Sequence, residues 1–311
     1  GEQPFEVLST CLALIEIVNS CNLACPTCYA DSPVGTGPKV DAVPLEQLKA
    51  RIQGVIDRKG GIEILQLSGG EPTLHPQLFE LCRWCKEHPK IDFVLLNTNG
   101  VLLAKDPAFA QQLSDVFERK GLQLYLQFDG VQTAGQRELR GADLREMRER
   151  AIAHCTAADI PVTLAMTVTR DNLPHLWEAV RFGLERDGVH GITFQPVFGS
   201  GRGSRAQGAK SMENQPFAKV SRKVEDRLNT ADLLLGLVGQ SDGKLRFEDF
   251  TPLPCGDPNC ATIGYLIRRG DQVWHVSDFI DFSQIQGFLH DKMHYTLEDL
   301  ARCGCDNQAL G

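Results

Sequence analysis

Three cysteines, Cys21, Cys25 and Cys28, fall at a Cys-x3-Cys-x2-Cys spacing directly after an apolar run, with Tyr29 beside the third. Thiolates are soft ligands, and their number here is informative. A structural zinc takes four protein ligands, whereas a 4Fe-4S cube held by three thiolates keeps one iron open to a substrate or cofactor. A zinc knuckle is the plain alternative. Three further polar groups recur in order: Gly69-Gly70-Glu71-Pro72, then Asn97 and Asn99, then Asp129 before Gly130. Glycines let the backbone approach a ligand, and the Glu71 carboxylate can accept from an ammonium group. For the two asparagines, turn-capping is an equally good reading.

The other candidates lie further along. Cys255 and Cys260 flank Gly256-Asp257-Pro258-Asn259 in a proline-rich loop, and Cys303 and Cys305 come near the end. These four are expected to serve an auxiliary iron-sulfur or metal site. Cys82 and Cys85 share one side of a helical pattern and are expected, like Cys155, to pack in a core. Arg202 and Arg205 sit in a glycine-rich loop, where a guanidinium matches a phosphate or carboxylate of a substrate, with a solvated loop as the bland alternative. Gln195 ends an apolar strand and is a candidate substrate contact. Gly208-Ala209-Lys210-Ser211 lacks the glycine spacing of a phosphate loop, so no ATPase is expected.

Apolar strand patterns alternate with helical ones and position these residues. Strands are expected over 11–18, 62–67, 93–96, 122–128, 161–168 and 191–196, and helices over 44–59, 76–87, 107–119, 142–158 and 173–186. Such alternation implies parallel strands joined by right-handed crossovers, with the polar clusters gathered at the C-terminal face. The fold class is therefore α/β, a partial (β/α)6 TIM barrel over 1–197. Residues 198–311 form a C-terminal cysteine-containing extension, with a helix over 213–238 and a hairpin over 263–276 turning at Gly270.

The whole chain fits an enzyme. Its 311 residues can bury a sizeable core, and a net charge of -8 argues against a nucleic-acid scaffold. No window offers the ~18 apolar residues of a membrane span. The first residues lack the basic start and apolar core of a signal peptide, so the expectation is cytoplasmic, membrane-peripheral if the substrate is a lipid. Eleven cysteines in such a protein point to ligation rather than disulfides.

The cysteine triplet followed by Gly69-Gly70-Glu71 resembles the radical S-adenosylmethionine (SAM) signature. The resemblance implies a 4Fe-4S cluster on Cys21, Cys25 and Cys28, with SAM chelated at the open iron and cleaved by one electron to a 5'-deoxyadenosyl radical. It further implies SAM contacts from Gly69, Gly70, Glu71, Asn97, Asn99, Asp129 and the backbone beside Tyr29, and an electron donor such as flavodoxin or ferredoxin. Segments 11–17, 126–130, 139–141, 194–197 and 252–255 resemble one subgroup, the archaeal tetraether lipid synthases and relatives described as pterin methyltransferases. That resemblance implies further clusters and an N-terminal metal module, with Cys11 as ligand of a cluster whose other ligands lie upstream. Three functions follow as expectations: hydrogen abstraction and carbon-carbon coupling on a lipid, methylation of a pterin-like heterocycle, or an electron-transfer module without SAM chemistry. The first requires a long apolar tunnel, and the second a compact polar pocket.

Overall fold

A computed structural model of the chain describes residues 11–197, 201–202, 227–253, 261–270 and 272–281. Six strands form one sheet in sequence order: β1 (Leu12–Val18), β2 (Ile62–Gly69), β3 (Ile91–Thr98), β4 (Leu122–Gln127), β5 (Val162–Val168) and β6 (Val189–Pro196). Every neighbouring pair is parallel, so each connection is a crossover. The crossovers carry α1 (Leu45–Lys59), α2 (Leu78–Glu87), α3 (Val101–Lys105), α4 (Pro107–Phe117), α5 (Gln136–Arg140), α6 (Arg145–Ala157) and α7 (Leu176–Leu184). This is the partial barrel that the β/α alternation predicts.

The two faces of the sheet differ in chemistry. On the outer face Ile17, Leu65, Leu67, Leu96, Leu124 and Leu164 are fully buried, packed under the apolar stripes of the helices, such as Leu48 and Ile52 of α1. The strand register places Glu16 beside Ser68, Asn97 beside Tyr125 and Thr167 beside Gln195 on the inner face. That face is only partly covered, and Leu14 and Glu16 are exposed. Apolar side chains on it are concentrated on β1–β3, at Leu12, Leu14, Ile64, Phe93 and Leu95.

Two short helices, α3 and α5, were not foreseen. Each begins after a glycine in the left-handed region, Gly100 (φ 80) and Gly135 (φ 78). Beyond the barrel, a helix over Thr230–Gln240 starts at a capping box of Asn229 and Asp232. The expected helix over 213–238 therefore begins later within the described residues and continues to Gln240. Its Leu233 and Leu237 join the barrel's own hydrophobic cluster, and the Gln240 side chain bonds the backbone at Leu173 and Trp177. The hairpin turning at Gly270 is present as β9 (Leu266–Arg269) and β10 (Gln272–His275), while β7 (Phe250–Pro252) pairs with β8 (Thr262–Gly264). Among the described residues no helix is long and apolar enough to cross a membrane.

Candidate functional site

The cysteine loop leaves the C-terminal end of β1 and is folded by its own backbone. Cys21 N–H donates to Pro33 O at 2.9 Å, Gly35 N–H to Cys21 O at 3.0 Å, and Cys28 N–H to Cys25 O at 3.2 Å. Cys21 and Cys25 are buried, Cys28 is half-buried, and all three are free thiols. Donors converge on one sulfur: Leu23 N–H lies 3.4 Å and Asn99 Nδ2 3.7 Å from Cys21 Sγ. Burial pushes the Cys21 thiol up to about 11 despite the Leu23 N–H. Its thiolate is therefore disfavoured until a cation neutralises it.

This donor set fits an iron-sulfur cube rather than one ion. Among the described residues no three His, Cys, Asp or Glu side chains converge tightly enough to hold a single metal ion. Three thiolates on a cube bind three different irons and need not converge that closely.

Gly69 and Gly70 serve the loop by close approach. A Cβ on Gly69 would meet Val18 O, and one on Gly70 would meet the carbonyls of Asn19 and Ser20. Gly70 N–H instead donates to Val18 O at 2.7 Å and Glu71 N–H to Ser20 O at 2.9 Å. The expected ligand-facing glycines thus press the β2 turn against the root of the cysteine loop.

The carboxylates expected to contact SAM both accept hydrogen bonds from within the protein. Glu71 is buried and accepts from Thr73 N–H (3.2 Å), Thr73 Oγ1 (2.7 Å), Thr98 Oγ1 (2.6 Å) and Asn99 N–H (2.8 Å). Three of these donors share Oε1 and one reaches Oε2, so Oε2 keeps an acceptor position. Burial pushes the Glu71 carboxyl up against those bonds. Asp129, in the left-handed region (φ 61), is equally enclosed. It accepts from Arg140 Nε (2.7 Å) and Nη2 (2.8 Å), Arg148 Nη2 (3.1 Å) and Thr167 N–H (3.1 Å). Burial opposes its charge, but Arg140 and Arg148 hold its carboxyl below the usual range. Each carboxylate is tied into the protein at a strand end.

Asn97 faces the barrel interior and donates to Ser68 Oγ at 3.1 Å. Asn99 does two things, since its Oδ1 accepts from Val101 N–H at the start of α3 while its Nδ2 reaches Asn22 Oδ1 at 2.7 Å and Cys21 Sγ. Tyr29 is exposed beside Cys28. Arg202 is committed to the cysteine loop, donating to Cys25 O (2.9 Å), Ser32 O (2.5 Å) and Asp31 (3.2 Å). Its backbone N–H also reaches Cys28 O, so it clasps the loop. Gln195 is exposed at the end of β6 on the inner face. Arg205, Cys255, Cys260, Cys303 and Cys305 lie outside the described residues. Cys11 is disulfide-bonded, contrary to the expected role as a ligand.

Arg140 and Arg148, which hold Asp129, were not singled out from the sequence. Arg148 had a legible signal, because it stands in the apolar stripe of α6 with Ala151, Ile152 and Cys155. Cys82, Cys85 and Cys155 are buried packing residues, with burial pushing Cys85 and Cys155 up to about 12.

The radical SAM superfamily profile matches residues 15–183. The chain is 30% identical over 275 residues to a 7,8-dihydro-6-hydroxymethylpterin dimethyltransferase of Methanocaldococcus jannaschii, covering 86% of this chain and 49% of that protein. A GTP 3',8-cyclase of Chlorobaculum tepidum is 37% identical over 89 residues, 29% of this chain and 26% of its own length. The chain thus spans half or less of the length of these curated relatives. Among solved structures, Streptococcus suis SuiB bound to S-adenosylmethionine superposes with a TM-score of 0.53 at 17% identity, over 75% of this chain and 47% of that one. The anSMEcpe structure with bound AdoMet and a peptide gives 0.50 at 22% identity, over 74% of this chain and 58% of that one. These two share the fold. With the profile matching more than half of the chain, across the end of β1, the cysteine loop and all of β2 to β5, this protein belongs to the radical SAM superfamily of enzymes.

Proposed function

We propose that the protein methylates a small, planar, polar heterocycle of the pterin type by radical SAM chemistry in the barrel interior. Cys21, Cys25 and Cys28 would hold a 4Fe-4S cluster, which when bound supplies the electron that cleaves SAM. A flavodoxin or ferredoxin would deliver that electron. The chain's own residues then have distinct tasks. Arg202 and the Gly69-Gly70 turn fix the loop, Asn99 orients the Cys21 sulfur, and the inner face receives the substrate.

The character of that inner face carries the reading. Toward the C-terminal ends of the strands it presents Ser68, Asn97, Tyr125, Gln127, Thr167 and Gln195, all hydrogen-bonding groups. Glu16 is the one acidic side chain on the inner faces of β1–β6. A carboxylate accepts two parallel N–H groups, which is what a 2-amino-4-oxo ring edge offers. The leucines and Phe93 of β1–β3 would cover a ring face. Carbon-carbon coupling on a lipid would instead need a long apolar lining, which this polar wall does not supply. The pterin named for the M. jannaschii relative agrees with the preference.

The test is anaerobic reconstitution followed by SAM with either 6-hydroxymethyl-7,8-dihydropterin or its 2-oxo counterpart, product mass being read. Methylated pterin from wild type, with the preference over the 2-oxo ring lost in Glu16→Gln, is the expected result. SAM cleavage with no tighter binding or methylation of the pterin than of a long-chain lipid would overturn it.

A further inference from the structure

The six-stranded sheet is open: β1 and β6 are its two edges and do not pair. The cysteine loop leaves β1 and Gly201-Arg202 come after β6, so contact between them spans that gap. The approach is close. Gly201 lies in the left-handed region (φ 67), and a Cβ there would run into the carbonyl oxygens of Cys28 and Tyr29. Arg202 N–H then donates to Cys28 O at 2.9 Å. Its guanidinium divides among three acceptors, with Nη1 on Cys25 O, Nη2 on Ser32 O and Nε on Asp31 Oδ1.

Those acceptors lie where the loop turns back. Asp31 holds a left-handed conformation (φ 50), which residues other than glycine adopt at a cost. Its N–H donates to Cys28 O at 3.2 Å, and the chain beyond it returns so that Cys21 N–H meets Pro33 O and Gly35 N–H meets Cys21 O. The Arg202 side chain therefore holds the carbonyl of one ligand residue, Cys25, and secures the turn that brings Cys21 its backbone partners. We propose that Arg202 is a positioning residue that preorganises the cysteine loop of the metal-free protein, across the open side of the barrel, to receive its cluster. This rests on the cluster reading of Cys21, Cys25 and Cys28. A guanidinium suits the task because its planar fork meets several oxygens at fixed angles, whereas an ammonium is a compact point charge.

The test compares wild type, Arg202→Ala and Arg202→Lys, first metal-free by hydrogen exchange and then, after anaerobic reconstitution, by the half-life of the cluster absorbance against an iron chelator. In Arg202→Ala, exchange is expected to rise over residues 21–35 and to stay unchanged in β2 and β3. Outer partners that orient metal ligands are typically worth about 10–100-fold in metal affinity, and the half-life should shorten on that scale. Arg202→Lys, which keeps the charge without the fork, should recover only part. Methylguanidinium added to Arg202→Ala should lengthen the half-life, and methylammonium at the same concentration should not. Unchanged loop exchange or an unchanged half-life in Arg202→Ala overturns the proposal. Exchange that rises equally in β2 and β3, with no rescue by methylguanidinium, also overturns it, as a general structural role. If wild type assembles no 4Fe-4S cluster, the cluster reading is what fails, and the exchange of the metal-free proteins keeps that result apart from failure of the clasp.

Discussion

Asp129 shows how far a single residue can be read. Its place after β4 was legible, since a polar residue ending an apolar strand of a parallel barrel lies at the C-terminal face. Its task was not, because the groups that claim its oxygens, Arg140 and Arg148, follow on two separate helices. Spacing does not reveal which of several arginines turns inward. The same holds for Glu71, whose donors Thr98 and Asn99 come from the next strand end. The cysteine triplet was legible because three ligands on one loop need no distant partner. The Asp129 geometry gives a quantitative expectation. Removing one member of a buried ion cluster leaves charge uncompensated and costs about 3–5 kcal/mol. Asp129→Asn should therefore lower unfolding stability by about that amount, read as a drop in the denaturant midpoint at unchanged slope. A loss of only SAM affinity, with stability intact, would make Asp129 a SAM contact instead.

At the scale of elements, the six strands and their order followed from apolar runs alternating with helical stripes, and the outer face of β2 and β3 carries the expected core. The helices missed, α3 and α5, have five residues each, too few for a 3.6-residue period to repeat. The start of the Thr230–Gln240 helix was available in Asn229 and Asp232, a cap that a broad helical reading passes over. Glycines separate by element too. Gly70 abuts the backbone of Asn19 and Ser20, whereas Gly54, inside α1, has nothing within 4 Å of where its Cβ would be. Gly70→Ala must push the β2 turn away from the cysteine loop, an overpacking cost of about 1–3 kcal/mol. Gly54→Ala removes a flexible helix residue and should stabilise by roughly 0.5–1 kcal/mol. Thermal melts of the pair should move in opposite directions, and iron uptake should fall only in Gly70→Ala.

At the scale of the molecule, the extension is fastened to the barrel through apolar packing and held together by charge. Leu233 and Leu237 lie in the barrel's cluster, and Arg268 pairs with Asp187. Farther out, Asp249 accepts from Arg246 Nη2 (2.7 Å) and Ser277 Oγ (2.6 Å), with His275 Nδ1 3.0 Å away, while Arg246 also binds Asp278. One carboxylate thereby ties the segment before β7 to the segment after β10. Burial opposes its charge, but the Arg246 and Ser277 bonds hold Asp249 at about 2, below the ordinary 3.8. A depressed carboxylate stabilises the fold above its unfolded pKa and loses that contribution as pH falls through the folded one. The contribution is on the order of 2 kcal/mol, complete above about pH 4 and gone near pH 2. Hydrogen exchange across that range should therefore show Phe250–Pro252 and Gln272–His275 opening before β2 and β3, whose core is apolar. Asp249→Asn should expose the same two segments already at pH 7 and flatten their acid dependence. If they open together with the barrel strands at every pH, the extension is not a separate cooperative unit and its charge cluster does not govern it.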